Sequence, residues 1–505
     1  MHRLVIALTT LLVLAGATTV ALFVFVLGAV TDRAAAIAPA ETVAYANVYL
    51  QPSAQQQTRL GNLIGRLPGF ADTAALDEKI DQVAQNLLSG AGIDYREQLK
   101  PWLGDQIAVA TWPGAADEPE VAAFVAVDDR DAAEAAIADV AGAPDRREYG
   151  GVTIQVTDQS SWAFVGELLV VGPTSSAVET VIDVDGGAAA LADAASFRDA
   201  MQGLPTDHLA SVYLDLPRLG QLSGADAELE GIGAAGAALI AEDEALRLEG
   251  SAPVSSDEAG AAPQTSTLAE WMPADTQAEI TVFNLRAVLD DAERVAGETE
   301  EGRELTDTLA ALRAMAAFGL GIDLDNDVLP LLAGPVALSI GQADEATPRV
   351  LLLAQPPDAS GAEETLGRIT DGLRGAGASV TTETVGDRAE VTVVGMPEVG
   401  ELAYAVVDGL VIGGLTAGDV AAAIEAHDDG AHLAGSDRYS GAFALAGERV
   451  GHEIFVDVGA LVDATGMSDE LGADARDILH EIGAFALSAA PRDERLDFRA
   501  VLTVD

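Results

Sequence analysis

The stretch from Trp162 to Ile182, WAFVGELLVVGPTSSAVETVI, constrains the fold more than any other. It reads as a short strand, an acidic turn at Glu167, a second strand ending at Gly172, and a helix entered through Thr174-Ser175-Ser176. A period-2 apolar run that feeds a helix through Gly and Ser/Thr is a strand–loop–helix unit. The pattern returns from Leu402 to Ile424, LAYAVVDGLVIGGLTAGDVAAAI, with Asp408 at the turn and Gly413 at the strand end. Two occurrences in matching context mark the chain as a duplication.

The flanking segments repeat in the same order. PAETVAYANVYL, from Pro39, is an alternating strand with Val43, Tyr45 and Tyr49 on one face, and residues 53–91 read as mostly helical. Asp94 can cap a short helix, Gln106 to Trp112 and Val121 to Val127 are strands, and an Ala-rich helix covers 131–141. Gly151 to Thr157 is a strand, LADAASFRDAM a helix, and LASVYLDLPRL a strand whose Asp215 caps the next segment. A helix from about Asp226 to Ile240 and a strand from Ala245 to Ser251 close this half. APVSSDEAGAAPQTST, residues 252–267, is a linker by composition. Beyond it, MPADTQAEITVFNL, the strand Arg349 to Ala354, the helix 360–373 and the strand Ala389 to Val394 repeat the order. Matching pairs are Asp94 with Asp323, Pro101 with Pro330, Gly172 with Gly413, Phe197 with Tyr439, and Asp215 with Asp457.

Leu4 to Val30 is apolar and carries no charged residue. As a helix it would be about 40 Å long, against the ~30 Å of a bilayer's hydrocarbon core. It exceeds a secretory h-region, although the small residues Ala34 to Ala36 would suit a cleavage site. Arg3 favours an N-terminus inside, which would place the bulk of a single-pass cell-membrane protein outside the cytoplasm. The expected fold class is therefore α+β: an N-terminal transmembrane helix, then two tandem homologous units, each a largely antiparallel sheet with helices packed on it. Residues 1–37 are the anchor and a short tether, 38–254 the first unit, 255–269 the linker and 270–505 the second unit.

Charge sets the solvent conditions. There are 81 acidic residues against 27 basic ones, and Lys79 and Lys100 are the only lysines. A compact body of this mass exposes roughly 16,000 Å², or about one net charge per 300 Å². Neighbouring excess charges then lie roughly 17 Å apart, inside the ~30 Å Debye length of dilute buffer and outside the ~3 Å of molar salt. Such a surface is halophile-like, and with no basic stripe it excludes nucleic acid as a partner. The absence of Cys excludes disulfides, thiolate metal sites and lipid attachment through an N-terminal Cys.

PAETVAYANVYL, GIDYREQLKPWLGDQIAVA, WAFVGELLVVG, LADAASFRDAM and LASVYLDLPRL together resemble the bacterial domain-of-unknown-function family 3352. The resemblance covers most of residues 38–220 well and the second half more loosely. It implies a membrane-anchored protein of a kind common in actinobacteria, with no assigned activity and no catalytic residues to carry over.

Motifs that carry chemistry are missing. There is no G-x-S-x-G, Walker loop or dinucleotide glycine fingerprint. His452-Glu453 and His480-Glu481 begin an H-E-x-x-H, but Val456 and Ala484 stand where the second His belongs. Asp323, Asp325 and Asp327 open like a calcium loop, yet Val328 replaces its Gly and Gly334 its bidentate Glu. His427 and Asp429 with His432 are the best metal-like candidates, but Asp183 to Gly186 in the other half contains no His, so a surface turn accounts for them better. Ser175 and Ser176 suit helix capping. Trp102 aligns with Leu331 and reads as a packing residue. No cofactor is implied. The leading expectation is a non-enzymatic cell-envelope binding or scaffold module whose partner is an envelope protein or an apolar ligand. A carrier of lipid or another apolar ligand comes second, and a hydrolase third.

Overall fold

The computed structural model describes residues 32–68, 94–114, 119–141, 144–223, 233–253, 264–285, 322–344, 347–385, 389–396, 400–447, 449–465, 479–492 and 495–505, with isolated positions between them. The run Leu4 to Val30 lies outside the described residues, as does most of the helical stretch expected between 67 and 91.

The strands up to residue 253 are β1 (Ala44–Tyr49), β2 (Leu103–Pro113), β3 (Pro119–Val127), β4 (Asp145–Tyr149) and β5 (Val152–Val156). They continue with β6 (Ser161–Val165), β7 (Leu168–Gly172), β8 (Ala210–Asp215), β9 (Ala234–Ala241) and β10 (Ala245–Pro253). After them come β11 (Ala278–Phe283), β12 (Pro335–Asp344), β13 (Thr347–Ala354), β14 (Ser379–Val385) and β15 (Ala389–Met396). The last are β16 (Gly400–Val407), β17 (Leu410–Gly414), β18 (His452–Asp457), β19 (Ile482–Arg492) and β20 (Arg495–Val504). Helices are α1 (Ala54–Arg66), α2 (Arg130–Ala141), α3 (Ser175–Asp185), α4 (Ala195–Met201) and α5 (Leu216–Ser223). They are followed by α6 (Ala359–Gly375), α7 (Ala417–Asp429), α8 (Asp437–Ala446) and α9 (Val458–Thr465).

Hydrogen bonds order the first ten strands β4-β5-β6-β7-β3-β2-β1-β8-β9-β10, antiparallel throughout. The other ten run β14-β15-β16-β17-β13-β12-β11-β18-β19-β20. These orders correspond strand for strand, and so do the registers. Tyr45 lies between Ala110 and Tyr213 across β1, and Glu279 lies between Ser339 and Phe455 across β11.

The expected pair of separate sheets behind a transmembrane helix needs correction. β10 pairs with β20, so all strands belong to one 20-stranded antiparallel sheet. Unpaired, each of these strands would be an edge presenting bare N–H and C=O groups, and their pairing satisfies both rows. Among the described residues no helix is long and apolar enough to cross a membrane.

The chain divides into two compact units. One contains Ala262–Ala490 and Ala500–Thr503, and the other contains the described residues up to Ala261 together with Pro491–Arg499. Within the latter, Ser251 Oγ donates to Asp497 at 2.7 Å, Arg495 Nε donates to Ser251 Oγ at 2.7 Å, and Arg499 pairs with Glu249.

Each unit builds a core on one sheet face. In the first, α3 and α4 cover Phe124, Val170 and Tyr213, and Phe197 meets Tyr213 edge-on at 5.1 Å. In the second, α7 and α8 cover Leu353, Ile412 and Phe455, with Tyr439 edge-on to Phe455 at 5.0 Å. Thr174 caps α3 by accepting from the Ala177 N–H, and Thr416 caps α7 by accepting from Asp419, whose carboxylate in turn accepts from the Thr416 N–H. At the β16–β17 turn Asp408 and Gly409 both have positive φ (51° and 82°), the conformation an Asp-Gly hairpin adopts.

Three local expectations change. Residues 234–240, expected to end a helix begun near Asp226, belong instead to strand β9. AAGAALIA is small and apolar throughout because neighbours cover both of its faces, which removes the alternation that marks a strand. The partner of Gly172 is Gly414 rather than Gly413: Gly172 pairs with Ser161 at the end of its hairpin as Gly414 pairs with Ala403. Finally, β4 and β14 are polar, exposed strands with no apolar alternation to announce them.

Candidate functional site

Alternation along the strands of the second unit sends two sets of side chains to opposite faces. Leu351, Leu353, Ala405, Leu410 and Ile412 enter the core under α7. Val350, Leu352, Leu402, Tyr404, Val411 and Gly413 face the other way, toward α6. That helix starts at Asp358, whose carboxylate accepts from the Gly361 N–H, and it brings Leu366, Ile369, Thr370 and Leu373 over the sheet at helical spacing. Its buried residues are only Ala362 and Thr370, so it roofs the sheet without closing on it. Between them is a cavity of about 380 Å³, also lined by Val328, Leu331 and Leu332. Among the described residues no charged side chain lines it. Leu352, Leu402 and Leu415 at its wall remain 43%, 45% and 43% exposed, which leaves the cavity open to solvent.

The same place in the first unit is filled. Trp162 lies three residues before the hairpin pair Val165–Leu168, as Tyr404 lies three before Val407–Leu410. Val171 corresponds to Gly413 by the same count, and Trp102 follows Pro101 as Leu331 follows Pro330. Trp102 and Trp162 are buried with Leu169 and Ala133 of α2, and Phe164 packs against them. Replacing these large groups by Leu331, Tyr404 and Gly413 removes the volume that would plug the second site. α6 has 17 residues against 12 in α2, which extends the roof.

On the core face of the second unit, two acids are buried. Glu279 on β11 is 3% exposed and Glu453 on β18 is 1% exposed. Glu453 Oε2 accepts from Tyr439 OH at 3.2 Å and from Arg449 at 3.0 and 3.3 Å, while Glu279 Oε2 accepts from Thr281 Oγ1 at 2.9 Å. The Oε1 atom of each has no hydrogen-bond partner among the described residues. Burial, reinforced by the charge of Glu453, pushes the Glu279 carboxyl up to about 8. Burial also raises Glu453, opposed by Arg449. With one guanidinium for two carboxyls, one acid keeps its proton near neutrality. His452 accepts from the Phe283 N–H at 3.3 Å, and burial pushes it down to about 4. Both acids are sealed from solvent, so no substrate can reach them in this conformation. The group is a polar plug in the core. In the first unit the registers put Tyr45 in the place of Glu279 and Ser211 in that of Glu453, so the acid pair is not repeated. Tyr45 OH and Gln106 donate to Asp32 at 2.5 and 2.7 Å, and Gln106 donates to Asn47 at 2.9 Å.

The residues singled out by sequence do not converge. His427 stacks on Trp271 with ring centroids 3.8 Å apart, and its Nδ1 lies 3.2 Å from the Glu270 carbonyl. His432 Nδ1 accepts from the Gly435 N–H and so caps a short turn, while Asp429 is exposed at the end of α7. Among the described residues no group of three His, Cys, Asp or Glu side chains could hold a metal ion. Asp323 caps the turn 324–328 through the Asp325 and Asn326 N–H groups, and Asp327 accepts from Arg368 at 2.8 Å. Ser175 Oγ accepts from Arg147 at 3.3 Å. Trp102 packs, as its apolar counterpart implied.

The cavity and the acid pair were missed at the sequence level, although each left a signal. Glu279 and Glu453 fall on inward positions of alternating strands. The aligned pair Trp102/Leu331 loses bulk from one half to the other. The loss at Val171/Gly413 shows only after the hairpin registers match Gly172 with Gly414.

Sheet and cavity together define an antiparallel α+β protein whose strand order is used twice and whose second unit holds an open apolar site. The chain belongs to the family described as "Protein of unknown function (DUF3352)", whose model matches residues 4–502. No curated protein matches it. Among solved structures, crystal form III of TP0453 is 11% identical with a TM-score of 0.26, covering 45% of this chain and 82% of its own. Crystal form IV of TP0453 is 12% identical with a TM-score of 0.26, covering 44% and 81%. Likeness at that level carries no argument about either fold or function.

Proposed function

We propose that the chain is a non-enzymatic binding module and that its ligand is apolar, taken up between α6 and the facing sheet of the second unit. The observation that carries this reading is the cavity of about 380 Å³ with no charged lining residue among the described residues. Small-molecule sites typically enclose ~300–1,000 Å³ and are mostly apolar. Solvent-exposed leucines at the wall cost free energy until something covers them. Binding is favoured over catalysis because the perturbed acids are sealed away from the cavity and the candidate His and Asp residues serve packing and turns.

The test transplants the filled site into the open one. Leu331→Trp with Gly413→Val copies the first unit's residues, and a Cβ at Gly413 makes only ordinary contacts of 3.7 and 3.8 Å with Leu352. Titration of the full chain with the neutral dye Nile red should show saturable binding that the double variant weakens by roughly tenfold or more. Unchanged binding in a variant with an unchanged melting temperature would place the dye elsewhere and defeat the reading.

A further inference from the structure

Two polar groups in the cavity wall narrow the ligand further. Thr370 Oγ1 and Tyr404 OH stand 2.8 Å apart, Thr370 on α6 and Tyr404 on β16. Two hydroxyls joined by one hydrogen bond have one O–H left over, and both oxygens keep acceptor capacity. Around them the wall is aliphatic, with Leu366, Ile369 and Leu373 on the helix. The pair is specific to the open site, since Trp162 occupies the position of Tyr404 in the filled one.

Among the described residues nothing stands ready to neutralise a charged head group here. No basic side chain among the described residues lines the cavity, and the two arginines of its helix already face carboxylates, Arg368 on Asp327 and Arg374 on Asp371. A buried carboxylate or phosphate would be left without a counter-charge, in a chain whose formal net charge is −54.

We infer that the cavity takes an uncharged long-chain compound bearing one hydroxyl or carbonyl oxygen, which hydrogen-bonds to the Thr370–Tyr404 hydroxyl pair. This rests on the apolar-site reading and adds the head-group chemistry to it.

Competition against bound Nile red on the full chain separates the two. The competitors are dodecanol, dodecanoate and dodecane, used above the carboxyl titration range. Dodecanol should displace the dye at a concentration about tenfold lower than either of the others, as one net hydrogen bond would give. Thr370→Val with Tyr404→Phe should bring dodecanol to the level of dodecane while dodecane itself is unaffected. Equal displacement by dodecanol and dodecane in the unaltered chain would overturn the head-group inference and leave the apolar site standing. Dodecanoate competing as well as dodecanol would overturn the exclusion of charge, and a dodecanol preference that survives in the double variant would overturn the assignment to this pair. If none of the three displaces the dye, the apolar-site reading itself fails.

Discussion

Glu279 is the residue whose placement has the clearest thermodynamic consequence. It sits among Glu453, Arg449, Tyr439 and Thr281, and burial with like-charge repulsion holds its carboxyl at about 8 against an ordinary 4.5. The fold therefore keeps a proton that the unfolded chain releases, so stability is full below about 4.5 and is lost as pH rises toward 8. Glu279→Gln should remove this loss and stabilise the protein by roughly 2–4 kcal/mol in alkaline solution, with little effect in acid. Urea melts of both proteins on either side of that window check it; parallel pH profiles would show that Glu279 is ionised throughout. His452 acts in the opposite sense. Burial favours its neutral form, so its contribution is full above about 6.5 and is lost as pH falls toward 4.

At the scale of elements, identical chemistry has different outcomes in different packing. Strand β9 runs so close to α4 that a Cβ on Gly236 would lie 2.3 Å from the Ala200 carbonyl oxygen. Backbone cannot move aside as a side chain can, so Gly236→Ala should destabilise by about 1–3 kcal/mol. Gly367, exposed in the interior of α6, has nothing within 4 Å of its would-be Cβ. There Gly367→Ala should stabilise by about 0.5–1 kcal/mol through the unfolded chain's lost freedom. Thermal melts of the two variants should move in opposite directions; a shift of the same sign in both would mean that the close approach at β9 relaxes freely.

For the whole molecule, charge dominates. Arginines are shared among acids: Arg33 pairs with Asp105 and Glu167, and Arg247 with Glu242 and Glu249. With 81 acidic and 27 basic residues, simple pairing leaves a net 54 carboxylates uncompensated. The melting temperature should therefore rise steeply as salt increases from about 0.01 M, where repulsion reaches over ~30 Å, and more gently toward molar salt. A melting temperature flat across that range would show that local networks already balance the charge.

The features that the sequence by itself determined were those set by neighbours along the chain. Alternation in WAFVGELLVVG, the Asp-Gly turn at 408, and the caps at Asp94, Asp215 and Asp457 are written in a few consecutive residues and are present as read. So is the packing role of Trp102, legible because its aligned partner is Leu331. Only the tertiary structure decided the rest. Strand β9 looks helical until β8 and β10 pair with its two edges, and β4 and β14 are held by pairing rather than by composition. The union of all strands in one sheet depends on β10 meeting β20, residues far apart in sequence. The cavity depends on a difference in side-chain volume that becomes empty space only when α6 stands over the sheet. Such partners are chosen by burial and hydrogen-bond satisfaction across the fold, and no local pattern in the chain encodes them.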